Sequence, residues 1–140
     1  MKTILLIAHL IAIATGTGMS IANYINIRIA SGEKGDRRAA LAFLRRQLAR
    51  IADLIIAVIW ITGIGLWWIR PAEAGPNTWF AAKLAFVLLL TLCHGLARMT
   101  AARMAKTGDE SLYARMELLV SGVWLSALAA IILAVLAFET

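Results

Sequence analysis

Four apolar stretches dominate the pattern of residues along the chain. They run about 3–27, 51–69, 78–97 and 118–138. Each is near the ~20 residues that an α-helix needs to cross ~30 Å of hydrocarbon. The alternation typical of a strand is absent, and a helix satisfies its own backbone hydrogen bonds in lipid. The pattern therefore predicts an all-α, integral membrane four-helix bundle, with residues 1–140 forming a single transmembrane domain.

The composition excludes a soluble globule. The chain is 61% hydrophobic and 16% charged, whereas soluble domains have about a quarter of their residues charged. A chain of 140 residues has too small a core to bury so much apolar surface. The net charge of +6 is explained by basic loops that set membrane topology, so no nucleic-acid partner is expected. The single cysteine, Cys93, excludes an intrachain disulfide.

Loop charges predict the orientation of the helices. The segment 28–50 contains seven basic residues and the segment 98–117 contains four, against Arg70 in the second loop and Lys2 at the N-terminus. Basic loops stay in the cytoplasm, so both termini are expected on the outer, periplasmic side of the cell inner membrane. We expect the first stretch to be retained, because no clear small-residue cleavage site follows it.

The first basic segment, the cytoplasmic loop 28–50, has a structure of its own. Gly32 and Gly35 interrupt the chain, and residues 37–50 then place leucines at helical spacing. Two interpretations are open. The segment is a basic amphipathic helix lying along anionic inner-leaflet lipids, or it is a solvated extension of helix two.

Ionisable groups within the apolar stretches are candidates for function, because lipid makes them costly to bury. At 1.5 Å per residue, the sequence predicts two polar layers at different depths. The outer layer comprises His9 and Lys83, with Arg70 above them. The inner layer comprises Asp53, His94, Arg98 and Glu117.

The two histidines suggest b-type haem. His9 and His94 lie too far apart in depth to bind one iron at about 2 Å each. His9 is therefore a candidate axial ligand of one haem, with Lys83 and Arg70 near its propionates. His94 is a candidate ligand of a second haem, with Arg98 near its propionates. The alternatives are that each histidine only forms a hydrogen bond between helices, and that Lys83 extends its ammonium to the headgroups.

Three segments carry a resemblance to a known family. Residues 79–84 read Trp-Phe-Ala-Ala-Lys-Leu and precede a leucine run, His94 and Arg98. Residues 8–11 read Ala-His-Leu-Ile, and residues 63–66 read Gly-Ile-Gly-Leu. This pattern resembles the HemJ family of four-helix membrane proteins and is similar to the membrane module of CopD-type copper-resistance proteins.

The resemblance implies b-type haem binding and oxidation of protoporphyrinogen. It implies that His9 is the axial ligand, that Lys83 is the family's lysine on helix three, and that His94 is its later histidine. The chain departs from the family at Ala81, where a histidine is usual, and at residues 26–29, where the family has an Arg-Leu-Phe-x-Tyr-His segment.

Three functions follow as hypotheses. The first is a small haem protein of electron transfer or of porphyrin and haem metabolism, with enzymatic activity left open. The second is a non-catalytic accessory or assembly subunit, since the small residues of helix one favour a partner helix. The third is a permease for a small solute or metal ion, with Asp53 and His94 as its site. A homo-oligomer or a partner membrane protein is expected, because four helices form a thin bundle.

Overall fold

Residues 2–69 and 78–139 are described by the structure, a computed structural model, and nearly all of them are helical. The helices are α1 (Lys2–Gly32), α2 (Gly35–Trp68), α3 (Thr78–Thr107) and α4 (Leu112–Glu139). The described residues contain no strand. All four helices are long and apolar enough to cross a membrane. The all-α prediction is confirmed, and so is the number of candidate spans.

Successive helices run antiparallel, and the two described turns lie at the same end of the bundle. Glu33 and Lys34 connect α1 to α2, and residues 108–111 connect α3 to α4. Arg38 of α2 pairs with Glu110 of the second turn and lies 5.6 Å from the ring centroid of Tyr113. We call this the basic end of the bundle. The opposite end carries Trp67, Trp68 and Trp79, and we call it the tryptophan end.

The helices at the basic end extend beyond the apolar stretches of the sequence. The segment 35–50, predicted as part of a loop, continues into α2 without a break, so that α2 has 34 residues. Two interpretations of residues 37–50 were open, and the structure agrees with the second, an extension of helix two. The physical reason is composition, because alanine, leucine and arginine favour helix and neither glycine nor proline occurs between Gly35 and Gly63.

The packing order makes α1 and α4 the central helices. α1 packs against α2 and α4, and α3 packs against α4, while α2 and α3 approach each other less closely. The apolar core lies towards the basic end, where α1, α3 and α4 meet. Its buried members are Ile27, Ala97, Met104, Met116 and Val120. Large apolar side chains such as Leu54 and Leu118 remain exposed on the outside of the bundle, as lipid-facing helices require.

Small residues on α1 permit a close approach to α2. A Cβ atom added to Gly16 would lie 2.9 Å from Cγ2 of Ile55, whereas one added to Gly18 would meet nothing within 4 Å. The small-residue face of α1 is therefore used for contact at Gly16, and it is open at Gly18. Close backbone packing through small residues is typical of membrane helices.

The turn between α3 and α4 is built from short polar residues. Gly108 has a φ of 66°, a left-handed conformation that favours glycine at the end of a helix. Its amide donates to the carbonyl of Met104 at 2.9 Å. The Ser111 amide donates to Oδ1 of Asp109 at 2.9 Å, and hydrogen bonds from the Ser111 hydroxyl and amide lower the pKa of Asp109. This turn brings α4 back alongside α3.

Candidate functional site

His9 is buried near the tryptophan end and is held by one residue of α2. It is 6% exposed, and its Nδ1 lies 2.7 Å from Oγ1 of Thr62. The Thr62 hydroxyl donates to the carbonyl of Val58 at 2.6 Å, so its single proton is already used. Nδ1 of His9 is therefore the donor in the pair with Thr62. In the neutral ring, Nε2 then carries the lone pair.

Lys83 and Gly63 lie towards the same end of the bundle as His9. Lys83 is half-buried on α3. A Cβ atom on Gly63 would lie 3.4 Å from Cε1 of His9, so glycine leaves room for the edge of the ring. His9 and Lys83, the predicted outer layer, both lie towards the tryptophan end of the bundle. Arg70, the third predicted member, lies outside the described residues.

Asp53, His94 and Arg98 form an ion-paired cluster that joins α2 to α3. Nε2 of His94 lies 2.6 Å from Oδ1 of Asp53, and Nη2 of Arg98 lies 3.3 Å from Oδ2 of the same carboxylate. The Asp53 carboxylate therefore contacts the imidazole with one oxygen and the guanidinium with the other. Depth alone predicts these three residues in one layer, and the structure brings them into direct contact.

Glu117 is predicted in the inner layer, but the structure places it against α1. Its Oε1 lies 2.7 Å from Nη1 of Arg28, so it joins α4 to α1 rather than to the Asp53 cluster. Arg28 also lies 3.4 Å from the hydroxyl of Tyr24. The physical reason is packing order, because α4 contacts α1 and α3 while Asp53 is on α2. Depth along a helix does not reveal which neighbour a side chain faces.

A hydrogen bond between α2 and α3 lies between the two layers. Nε1 of Trp60 donates to Oγ1 of Thr91 at 3.1 Å, and the Thr91 hydroxyl donates to the carbonyl of Val87 at 2.8 Å. Thr62 and Asp53, the partners of the two histidines, are nine residues apart on α2, or about 13.5 Å along the helix. The two histidines therefore do not share a metal ion.

The two histidines differ in how well they would fit haem iron. His9 presents Nε2 as its basic nitrogen, with Nδ1–H fixed by a neighbouring oxygen, which is the usual orientation of a metal-binding imidazole. His94 uses Nε2 for Asp53, which leaves Nδ1, the nitrogen next to the backbone of α3. A broad macrocycle would meet α3 itself there. Of the two imidazoles, that of His9 therefore has the better orientation for an axial ligand, and that of His94 does not favour a second haem.

Metal centres of other kinds have less support. Among residues 2–69 and 78–139 there is no group of three or more histidine, cysteine, aspartate or glutamate side chains placed to hold a metal ion. This finding bears on sites built from several protein ligands, such as those for zinc. A haem brings four ligands of its own and needs only one or two from the protein.

Three polar residues of the interior, Thr62, Trp60 and Arg45, are not among the site residues predicted from the sequence. A signal for Thr62 does exist, because the tight turn at residues 33–34 makes α1 and α2 antiparallel. Residue i of α1 then lies across from about residue 71 − i of α2, as in the contact of Gly16 with Ile55. Arg45 is 7% exposed. Its Nε and Nη1 have no hydrogen-bond partner among the described residues.

Comparison with known proteins assigns no family to the chain. No family model, no curated protein and no solved structure matches the chain.

Proposed function

We propose that the chain is a small multi-pass protein of the cell inner membrane that binds one b-type haem through His9 and takes part in electron transfer. The observation that carries the proposal is the hydrogen bond from Nδ1 of His9 to Thr62. That bond fixes a buried imidazole with its basic nitrogen on the opposite side of the ring. Bound haem would supply reversible one-electron chemistry at its iron.

The residues around His9 have separate roles in this proposal. Thr62 sets the tautomer and the orientation of the imidazole, an effect that typically changes metal affinity 10–100-fold. Lys83 offers a cation to a propionate group, and Gly63 keeps the backbone of α2 close to the ring. The low exposure of His9 limits the access of water to the basic nitrogen.

The test is the visible spectrum of detergent-purified protein produced with ample haem, oxidised and then reduced with dithionite. We expect a Soret band with sharp α and β bands after reduction, lost in His9→Ala. His94→Ala is the matched control, since it removes the other histidine and should retain the haem. A colourless, folded wild-type protein, or unchanged haem in His9→Ala, would overturn the proposal.

The orientation is part of the proposal. Basic residues concentrate at the end of the bundle that holds both described turns, and this supports a cytoplasmic position for that end and a periplasmic position for both termini. Cys93 is the sole cysteine, so a Cys93→Ala background allows site-directed labelling. A cysteine at Lys34 should resist a membrane-impermeant maleimide in intact spheroplasts, and a cysteine appended to the C-terminus should react. The reverse pattern would contradict this orientation.

A second candidate function rests on the Asp53 cluster. A carboxylate paired with an imidazole between two membrane helices is typical of proton or cation pathways. In this alternative the chain is a permease that works as an oligomer, and Asp53 with His94 forms its site. Cation-dependent uptake into proteoliposomes should be lost in Asp53→Asn. Uptake that is unchanged in this variant would exclude the cluster as the site.

A further inference from the structure

A cavity between α3 and α4 lies at the basic end, away from His9 and from Asp53. Its volume is about 110 Å³, several times the ~30 Å³ that one water occupies in the liquid. It is lined by Leu96, Met99, Thr100, Arg103, Leu112 and Arg115. The α3 members recur at intervals of three and four residues, so they form one stripe along that helix.

The lining changes from cationic to apolar along the helix axis. Arg103 lies one turn before the end of α3 and Arg115 lies in the first turn of α4, so both come from the basic end. Leu96 and Met99 lie one to two turns deeper on α3, and Met99 is 70% exposed. Thr100 is buried, and its hydroxyl donates to the carbonyl of Leu96. The cavity therefore has a charged mouth and an apolar side that opens outward.

The two arginines at this mouth differ from several of their neighbours. Arg28, Arg38 and Arg98 each form an ion pair with a carboxylate of another helix or turn. Within residues 2–69 and 78–139, neither Arg103 nor Arg115 forms an ion pair or a side-chain hydrogen bond. Both are exposed. Two unpaired guanidinium groups beside one cavity attract an anion, since arginine binds phosphate oxygens with directed hydrogen bonds.

We propose that this cavity binds the headgroup of an anionic phospholipid of the inner leaflet. The phosphate is held by Arg103 and Arg115, and an acyl chain follows Leu96 and Met99 towards the middle of the membrane. Basic pockets between membrane helices on the cytoplasmic side bind such headgroups. The proposal depends on the orientation given above and is independent of haem binding.

A lipid fits the cavity better than a free phosphate ion does. A phosphate ion would use the guanidinium groups alone and would gain nothing from the exposed methionine and leucine below them. A diacyl phospholipid matches both parts at the depth where each occurs. The expected selectivity is therefore for lipids that combine a negative headgroup with acyl chains.

The test is native mass spectrometry of the delipidated full chain, titrated with phosphatidylglycerol and, separately, with zwitterionic phosphatidylcholine. The test variant is Arg103→Gln with Arg115→Gln. The matched control is Arg46→Gln with Arg50→Gln, which removes the same charge from exposed positions of α2 that do not line the cavity. One basic residue at an anionic surface usually contributes about 1 kcal/mol to binding. Each cavity substitution should therefore lower the affinity for phosphatidylglycerol about fivefold, and both together should lower it about thirtyfold.

The outcomes separate the possible sources of the anion. We expect phosphatidylglycerol to be preferred over phosphatidylcholine, and the control pair to change its affinity less than about threefold. Equal losses in the two pairs would show diffuse electrostatic attraction and would overturn the proposal. Inorganic phosphate that binds as tightly as phosphatidylglycerol would identify a phosphate-ion site and would also overturn it. The single variants and a thermal unfolding curve of each protein exclude misfolding as the cause of a loss.

Discussion

Replacing Thr62 with valine removes the oxygen that accepts the Nδ1–H of His9 while it keeps the shape of the side chain. The imidazole is 6% exposed and the hydrogen bond is 2.7 Å long, so the orphaned donor has little access to a new partner. A buried donor without a partner costs about 1–3 kcal/mol. Hydrogen bonds between membrane helices average about 0.6 kcal/mol and reach about 1.7 kcal/mol. We expect Thr62→Val to lower the free energy of unfolding by about 1–2 kcal/mol.

The assay is a double-mutant cycle that combines Thr62→Val with His9→Phe, measured by SDS-induced unfolding in mixed micelles and followed by circular dichroism. We expect a coupling energy of about 1 kcal/mol between the two substitutions. Thr91→Val is the control, because its hydroxyl accepts a hydrogen bond from Trp60 and should not couple to His9. A coupling energy below about 0.3 kcal/mol for Thr62 and His9, the value for independent sites, would refute the reasoning.

Three further predictions concern packing, charge and pH. Gly16→Ala should lower the free energy of unfolding by about 1–3 kcal/mol, since its Cβ would lie 2.9 Å from a side chain of α2. Gly18→Ala is the control, because its Cβ would meet nothing within 4 Å. Equal effects of the two substitutions in the same SDS assay would contradict the close contact at Gly16. Asp53→Asn should lower the free energy of unfolding by about 1–2 kcal/mol, a value below that of a fully buried ion pair because Asp53 is partly exposed. The control is Asp36→Asn, which lies outside any ion pair in the described residues and should change the free energy of unfolding by less than about 0.5 kcal/mol. The pKa of Asp109 lies below its ordinary 3.8, because the serine two residues on donates to its carboxylate. Its contribution to stability is present above pH 3.8 and is lost as the pH falls through the lowered pKa. Asp109→Asn should therefore lessen the fall of stability in a titration below pH 3.8, and an unchanged acid slope would contradict this role.

The sequence predicted the apolar parts of the helices well, but it predicted their ends at the basic end of the bundle poorly. Hydrophobicity marks where a helix can lie in lipid, so the predicted start of α3 agrees with the structure. Hydropathy does not mark where a helix ends in water. Residues 35–50 are polar enough to read as a loop, and their helix propensity is what makes them part of α2.

The sequence predicted the depth of the candidate site residues in the membrane, but not which neighbouring helix each side chain faces. Counting residues along antiparallel helices brought together Asp53, His94 and Arg98, and it gave His9 and Lys83 a common level. The same count placed Glu117 near Asp53, although it faces α1. The order in which helices pack around a bundle depends on side-chain shape, such as the contact of Gly16 with α2, and this cannot be read from depth.

The packing order also bears on how the chain enters the membrane. The pairs α1–α2 and α3–α4 are close antiparallel hairpins, and each can insert as a unit during synthesis, since a hairpin brings its own neighbour into lipid. Only after both have inserted does Asp53 of the first hairpin meet the imidazole and the guanidinium of the second. A lone carboxylate in hydrocarbon is costly, so we expect the first hairpin to be less stable alone than beside the second. The ion pair between α2 and α3 thus stabilises the bundle only when both hairpins are present. Two half-chains that are expressed separately, divided between α2 and α3, should therefore associate through this ion pair.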